Sequence, residues 1–367
     1  MNFFDSQMLP HTSIFLPIGI SFYSFMAISY LVEVYQGKDR CASLLTFGTY
    51  LTLFPHLLAG PIVRYSELEA EMENREVTLR MFFEGIWRFS LGMGKKIILA
   101  NNLGSVADKV FVLPSGELTT ALAWTGIACY SLQIYFDFSG YSDMAIGLAR
   151  FFGFHFPENF NQPYRSKSIT DFWRRWHITL SRWFKDYLYI SLGGNRQGWM
   201  RTYFNLFMVF FLCGLWHGAA WTFVIWGMFH GILLVIERVL KNSFGIVPQG
   251  IFGNSLTLFL IMIGWVFFRS ASFEQAVNYL SAMFGMPHLS GFQYFQLGYY
   301  LDSSNVTYLG IGTLIVLFPQ EKFKKLLVHM QSFQLTLAKG IASILIMFIS
   351  LLTMSKMQFT PFIYFQF

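Results

Sequence analysis

Thr202–Ile236, TYFNLFMVFFLCGLWHGAAWTFVIWGMFHGILLVI, is a run of 35 residues without a single Asp, Glu, Lys or Arg. A helix that crosses a bilayer needs roughly 20 mostly apolar residues. The run is therefore long enough for two spans, with a bend predicted around Gly214–Gly218. Ile14–Val32, Cys41–Val63 and Leu118–Phe136 are equally free of charge. Gly250–Phe268, Asn305–Phe318 and Gly340–Met354 are further candidates, and Phe82–Leu103 is another that Lys95 and Lys96 interrupt. Of the 367 residues 54% are hydrophobic, 19% aromatic and only 13% charged; soluble domains carry about a quarter charged residues. The mean hydropathy of +0.45 agrees. These features predict an all-α polytopic membrane protein with about eight to ten membrane helices, some tilted or broken.

No linker, low-complexity tract or repeat divides the chain, so residues 1–367 read as one membrane domain. Met1–Pro10 lacks a basic stretch and Ile14–Val32 runs into Glu33 without a small-residue cleavage site, which predicts a retained span and no cleaved signal. Cys41, Cys129 and Cys213 sit in apolar stretches without CxxC spacing, so neither disulfides nor a zinc site are expected. The net charge of +6 fits loops beside anionic lipid better than nucleic-acid binding.

The segment Phe136–Met200 is too polar for an ordinary span and too aromatic for an ordinary loop. Asp137 and Asp143, in Phe136-Asp137-Phe138-Ser139-Gly140-Tyr141-Ser142-Asp143, abut apolar stretches. Carboxylates at membrane depth tend to face a protein interior or a wet cavity; a place at the membrane interface is the other reading. Pro157–Tyr164 is turn-rich. Asp171–Tyr187 then spaces Trp173, Trp176, Leu180, Phe184 and Tyr187 along one helical face, with Arg174, Arg175, Ser181, Arg182, Lys185 and Asp186 on the rest. This predicts one amphipathic helix lying in the interface, capped by Thr170 or Asp171, with His177 at the border of its faces. Leu192–Gly198 reads as an interhelical loop, since it lacks the spacing of a phosphate-binding loop. Arg64–Arg80, with five acidic residues, reads as a solvated helix or loop.

His217 is the sharpest candidate for chemistry. It stands between Gly214 and Gly218 in the charge-free run, where a neutral imidazole suited to general-base work is expected. Small flanking residues would let a substrate or a second helix approach. The competing reading is a histidine hydrogen-bonded to a neighbouring helix. His230 reads as helix packing, and His56 is weaker again. No G-x-S-x-G elbow, H-E-x-x-H pair or dinucleotide fingerprint is present. A histidine without an evident serine or cysteine partner fits direct transfer, in which a base deprotonates an acceptor hydroxyl that attacks an activated acyl group.

Leu16–Tyr23, Leu58–Ile62, Phe136–Asp143, Pro157–Tyr164, Asp171–Tyr189, Leu192–Arg196 and Gly214–Ala219 together resemble the membrane-bound O-acyltransferase (MBOAT) family. Within it they are most similar to the bacterial branch that O-acetylates alginate. The likeness runs from near residue 1 to about Arg238 and more weakly beyond. It implies a ring of tilted helices around a central tunnel in the cytoplasmic (inner) membrane, with interfacial amphipathic helices. It also implies a cytoplasmic thioester donor, acetyl-CoA or an acyl carrier, and an extracytoplasmic acetyltransferase as partner; no bound cofactor is expected. His217 corresponds to the family's invariant histidine and is expected to be the general base, with His177 orienting substrate or stabilising charge. Asp137, Asn159, Arg174 and Ser181 are the expected substrate-binding residues. The D-alanyl transferases of teichoic acid are the nearest rival within the family, and Phe136–Asp143 with the Gly193–Arg196 turn favours acetyl. Relatives carry membrane helices ahead of the segment matching Met1–Tyr35, so this chain is expected to begin inside the family pattern. A transporter and a non-catalytic member of an export complex are the alternatives from other classes; the first lacks the internal repeat that transporters show.

Overall fold

The structure, a computed structural model, describes residues 17–38, 42–286, 297–319, 332–356 and 362. The expectations for Met1–Pro10, for the start of Ile14–Val32 and for Cys41 lie outside these residues. Among the described residues the regular structure is all helical, without a strand. Helix α1 (Ile20–Tyr35) is followed by α2 (Leu44–Thr52), α3 (Phe54–Leu57) and α4 (Tyr65–Glu73). Helix α5 (Leu79–Gly94) continues through a π-helical segment (Lys95–Ala100) into α6 (Asn101–Phe111), and α7 spans Thr120–Phe151. The short α8 (Ile169–Trp173) and α9 (Ile178–Trp183) precede a second π-helical segment, Phe184–Tyr189. Then come α10 (Gly198–His217), α11 (Trp221–Phe244), α12 (Gly250–Arg269), α13 (Phe273–Met283), α14 (Leu297–Tyr300), α15 (Ser303–Leu317) and α16 (Ser332–Met354).

Helix α7 is the centre of the packing, with α5, α6, α12 and α13 against it. Its contact with α5 is backbone to backbone. A methyl group on Gly92 would fall 2.4 Å from the Gly140 carbonyl, and one on Gly147 would fall 2.7 Å from that of Gly85. Small residues at such crossings let membrane helices gain dispersion contacts, since lipid offers no hydrophobic drive for helices to associate. The approach also brings the basic residues of the first π-helical segment onto the acidic residues of α7. Lys95 Nζ lies 2.6 Å from Asp143 Oδ2, and Lys96 donates to Asp137. Phe136–Asp143 thus lies within one continuous helix, its side chains mostly buried inside the protein. Its carboxylates are tolerable there because α5 and the π-helical segment supply their counter-charges.

The spans are sorted more narrowly than the apolar runs suggest. Among the described residues, three helices are by length and composition apolar enough to cross a bilayer: Trp221–Phe244, Gly250–Arg269 and Phe333–Met354. Cys41–Val63 does not give one span, because its described part breaks into α2 and α3 at Leu53 and ends in an extended strip. Leu118–Phe136 is absorbed into α7, which buries most of its side chains inside the protein. Helix α10 has the length but carries Arg201, Asn205 and His217. The bend predicted at Gly214–Gly218 is present: α10 stops at His217 and α11 begins at Trp221. Gly214 is small for the sake of α11, since a methyl there would fall 2.4 Å from the Phe223 carbonyl.

The single amphipathic helix expected over Asp171–Tyr187 is not formed. The chain leaves the helix after Trp173 and re-enters at Ile178, with His177 in the left-handed region (φ 43). The cap is Ser168, whose hydroxyl accepts from the Asp171 N–H at 3.0 Å. The predicted apolar face is buried even so: Trp173, Trp176, Leu180 and Phe184 all pack into the core. Leu192–Gly198 is a loop, held by the Asn205 amide donating to the carbonyls of Leu192 and Gly194.

Candidate active site

The break at His177 is fixed by a short polar chain. The backbone N–H of Ile62 donates to Thr179 Oγ1 at 3.0 Å, and that hydroxyl donates to Asn159 Oδ1 at 3.0 Å. The Thr179 N–H also reaches Asn159 Oδ1, at 3.3 Å. A backbone N–H can only donate, so this contact identifies the oxygen of the Asn159 amide, and the amide nitrogen donates to Ser142 Oγ at 3.1 Å. His177 Nδ1 lies 3.1 Å from the same Oδ1 and must therefore carry the proton. The other ring nitrogen, Nε2, is left as a lone-pair acceptor, buried and without a partner. Burial, and then the neighbouring His217, push this imidazole below its ordinary pKa, so it is neutral at physiological pH.

The ring of His177 lies edge-on to Phe138, with centroids 4.6 Å apart, and beside Phe22 and Trp216 at 6.4 and 6.5 Å. Trp216 also touches His217, at 4.7 Å, so one indole is shared by the two imidazoles. His217 itself is the last residue of α10, half-buried. Trp226 and Phe268 stand edge-on to it at 5.0 and 5.1 Å. Two histidines 40 positions apart in sequence thus meet in one aromatic-walled region. One of them has its tautomer set by the fold.

The family model for MBOAT, the membrane-bound O-acyltransferase family, matches residues 11–277, which include both histidines. The chain belongs to this family. Membership makes it an acyltransferase of the membrane. It is 42% identical to "Probable alginate O-acetylase AlgI" of Pseudomonas putida, over all of this chain and 78% of that protein. It is 40% identical to a peptidoglycan O-acetyltransferase of Helicobacter pylori, over 75% of this chain and 58% of that protein. A teichoic acid D-alanyltransferase of Bacillus subtilis is 31% identical over 61% of this chain and 59% of that protein. The chain thus spans less than two thirds of the length of the latter two.

Other residues of this acyltransferase expected at the site fall in different places. Asp137 is buried and paired with Lys96. Arg174 is exposed at the end of α8, and the Ser181 hydroxyl donates to the Trp176 carbonyl at 3.4 Å. Neither joins the polar chain around His177. Asn159 does, as the hub of that chain, and Arg88 braces the strip carrying it by pairing with both Asp143 and Glu158. Ser142, Thr179 and the Ile62 N–H complete the arrangement. They stand inside three of the quoted motifs, but no local pattern shows that they meet. The hub position carries a prediction. Asn159→Ala removes the acceptor that sets the His177 tautomer, and acyl transfer is expected to fall roughly 10- to 100-fold, the scale of a misplaced catalytic group. Ester formation per unit of membrane-inserted protein measures it; wild-type rates in that variant would show that the tautomer is immaterial.

Proposed function

We propose that this chain is an O-acetyltransferase of the cytoplasmic membrane that takes an acetyl group from a cytoplasmic thioester, acetyl-CoA or an acyl carrier, for O-acetylation of an exported polysaccharide. The reading rests on the pairing of His177, with its bare Nε2, and His217 about a shared indole. Acetyl in preference to D-alanyl is supported by the relatives: 42% and 40% identity to proteins named for O-acetyl transfer, against 31% for the D-alanyltransferase. In the proposed reaction His217 removes the proton from an acceptor hydroxyl as its oxygen attacks the thioester carbonyl. The carbon–sulfur bond breaks, the new ester forms, and the departing thiolate takes the proton from the imidazolium. His177 Nε2, an acceptor and not a donor, orients the acceptor molecule through a second hydroxyl beside the attacking one rather than holding the developing oxyanion. Asp137, Arg174 and Ser181 remain candidates for binding donor or acceptor along a tunnel ringed by tilted helices. An extracytoplasmic acetyltransferase partner completes transfer to the glycan.

The test is the ester itself. Cells lacking this chain, and the same cells with it restored, are compared for acetate and D-alanine released from surface polysaccharide by mild base. Restoration is expected to return acetate alone. D-alanine release would replace this reading with the rival one, and no change in either would remove the chain from ester formation altogether.

A further inference from the structure

Helices α10 and α11 form an antiparallel pair, in which Gly227 faces Gly214 and Gly231 faces Phe207. The start of α10 therefore lies beside the end of α11. There the Glu237 carboxylate accepts from the N–H groups of Ile169 and Thr170. The start of α12 meets the same strip: the Asn254 amide donates to the carbonyls of Tyr164 and Ser166, and a methyl on Gly253 would fall 3.0 Å from that of Lys167. One end of the protein thus gathers Lys167, Arg196, Arg201, Arg238 and Lys241. Arg238 is half-buried and the other four are exposed. Arg196 and Arg201 belong to a pinned turn, in which Arg201 Nε donates to the Leu192 carbonyl at 3.4 Å. Three acidic residues lie between positions 160 and 256, and each is already engaged: Asp171 by Arg175, Asp186 by Arg64, and Glu237 by the two N–H groups. Among the described residues none of the five cations takes part in an ion pair. The far end of α12 is balanced by contrast. Arg269 pairs with Asp108 there, while α6 carries the exposed Lys109 and the adjoining α13 the exposed Glu274.

Large apolar side chains are exposed among these cations. Trp199 and Met200 stand between Arg196 and Arg201, and Ile251 and Phe252 open α12. Water suits the cations and not the apolar groups, and hydrocarbon the reverse; the headgroup layer of a bilayer accommodates both. Beyond Arg201, α10 carries no Asp, Glu, Lys or Arg as far as His217, as expected of a helix that leaves the headgroups for the hydrocarbon. An excess of Lys and Arg at the ends of membrane helices marks the cytoplasmic side, whose leaflet holds anionic lipid. We infer that this end of the protein is a docking surface for the phosphate headgroups of anionic lipids in the cytoplasmic leaflet, with Arg196 and Arg201, on either side of Trp199, as its main contact. A guanidinium can bind two phosphate oxygens at once, which fits arginine to that place. Helix α10 then runs inward from the cytoplasmic face to His217. The inference is independent of which acyl group is transferred.

The test melts the full chain, purified in detergent, with increasing phosphatidylglycerol or phosphatidylcholine. A molecule that binds the folded protein raises the melting temperature with its concentration. Phosphatidylglycerol is expected to raise it more than phosphatidylcholine, and high salt to remove the difference. Arg196→Gln and Arg201→Gln are each expected to weaken the apparent affinity for phosphatidylglycerol about fivefold. Arg196→Lys and Arg201→Lys keep most of it, and Lys109→Gln, at the balanced end, leaves it unchanged. A second measurement does not depend on those variants folding. Asn195→Cys, on the exposed turn, is expected to react with a membrane-impermeant maleimide in inverted membrane vesicles and not in right-side-out ones, with the wild type giving the background of native cysteines. Equal stabilisation by the two lipids overturns the inference, as does labelling of Asn195→Cys from the outer side. Inorganic phosphate that reproduces the effect at the same phosphate concentration assigns the arginines to a free anion and overturns the lipid reading. Glutamine variants that keep the lipid preference but lose ester formation give the surface to an acidic protein carrying the donor, and overturn it too.

Discussion

Replacing His217 with alanine is expected to lower ester formation by on the order of 100-fold or more, the contribution of a well-placed general base. The amount of protein in the membrane is expected to change little. His217 is half-buried at the very end of α10, so truncating its side chain leaves little unfilled space in the interior. The turn into α11 is held by other contacts, among them the fit of Gly214 against the Phe223 carbonyl. The informative control is His217→Gln. Glutamine keeps a hydrogen-bonding side chain of similar reach but cannot take up a proton. If the residue only tethers a neighbouring helix, glutamine retains most of the activity and the catalytic assignment is lost. If it is the base, glutamine is as inactive as alanine.

The second large effect concerns Asp137. Asp137→Leu removes the carboxylate that buried Lys96 donates to, and breaking such a pair from one side costs about 3–5 kcal/mol. A loss of that size is comparable to the whole stability margin of many domains. The single variant is therefore expected to vanish from the folded peak when detergent extracts are resolved by size-exclusion chromatography. Replacing both partners, Lys96→Met with Asp137→Leu, is expected to restore most of the folded protein, because a buried ion pair and an apolar pair of similar volume are often close in free energy. The double variant also decides what Asp137 is for. If it folds and still makes ester at the wild-type rate, the carboxylate holds the helix crossing together and substrate binding is struck from its roles. If it folds and is inactive, Asp137 serves the reaction itself.

Much of the site was legible from residue chemistry alone. The charge-free run of Thr202–Ile236 told of two helices, and Gly218 told where they part, which put His217 at their junction. What remained hidden has a common cause: partners distant in sequence override a local pattern. The period of Trp173, Trp176, Leu180 and Phe184 is that of one helix, yet the chain breaks at His177 because Asn159 and Thr179 offer its backbone and ring other partners. Phe136–Asp143 was open between a protein interior and an interface because its counter-charges lie 41 and 48 residues upstream, in a π-helical segment that no pattern predicts.

The shared oxygen of Asn159 has a further consequence for proton traffic. An amide carbonyl is far too weak a base to accept the proton that His177 Nδ1 presents to it. Turning the ring to exchange its nitrogens would strand Nδ1–H and leave the Asn159 oxygen with the Thr179 donors alone. The imidazole of His177 therefore cannot act as a wire that takes a proton at one nitrogen and releases it from the other. Any proton that arrives at Nε2 must leave by the way it came. The residue is a terminus, and in the proposed reaction the proton drains through His217 and the departing thiol.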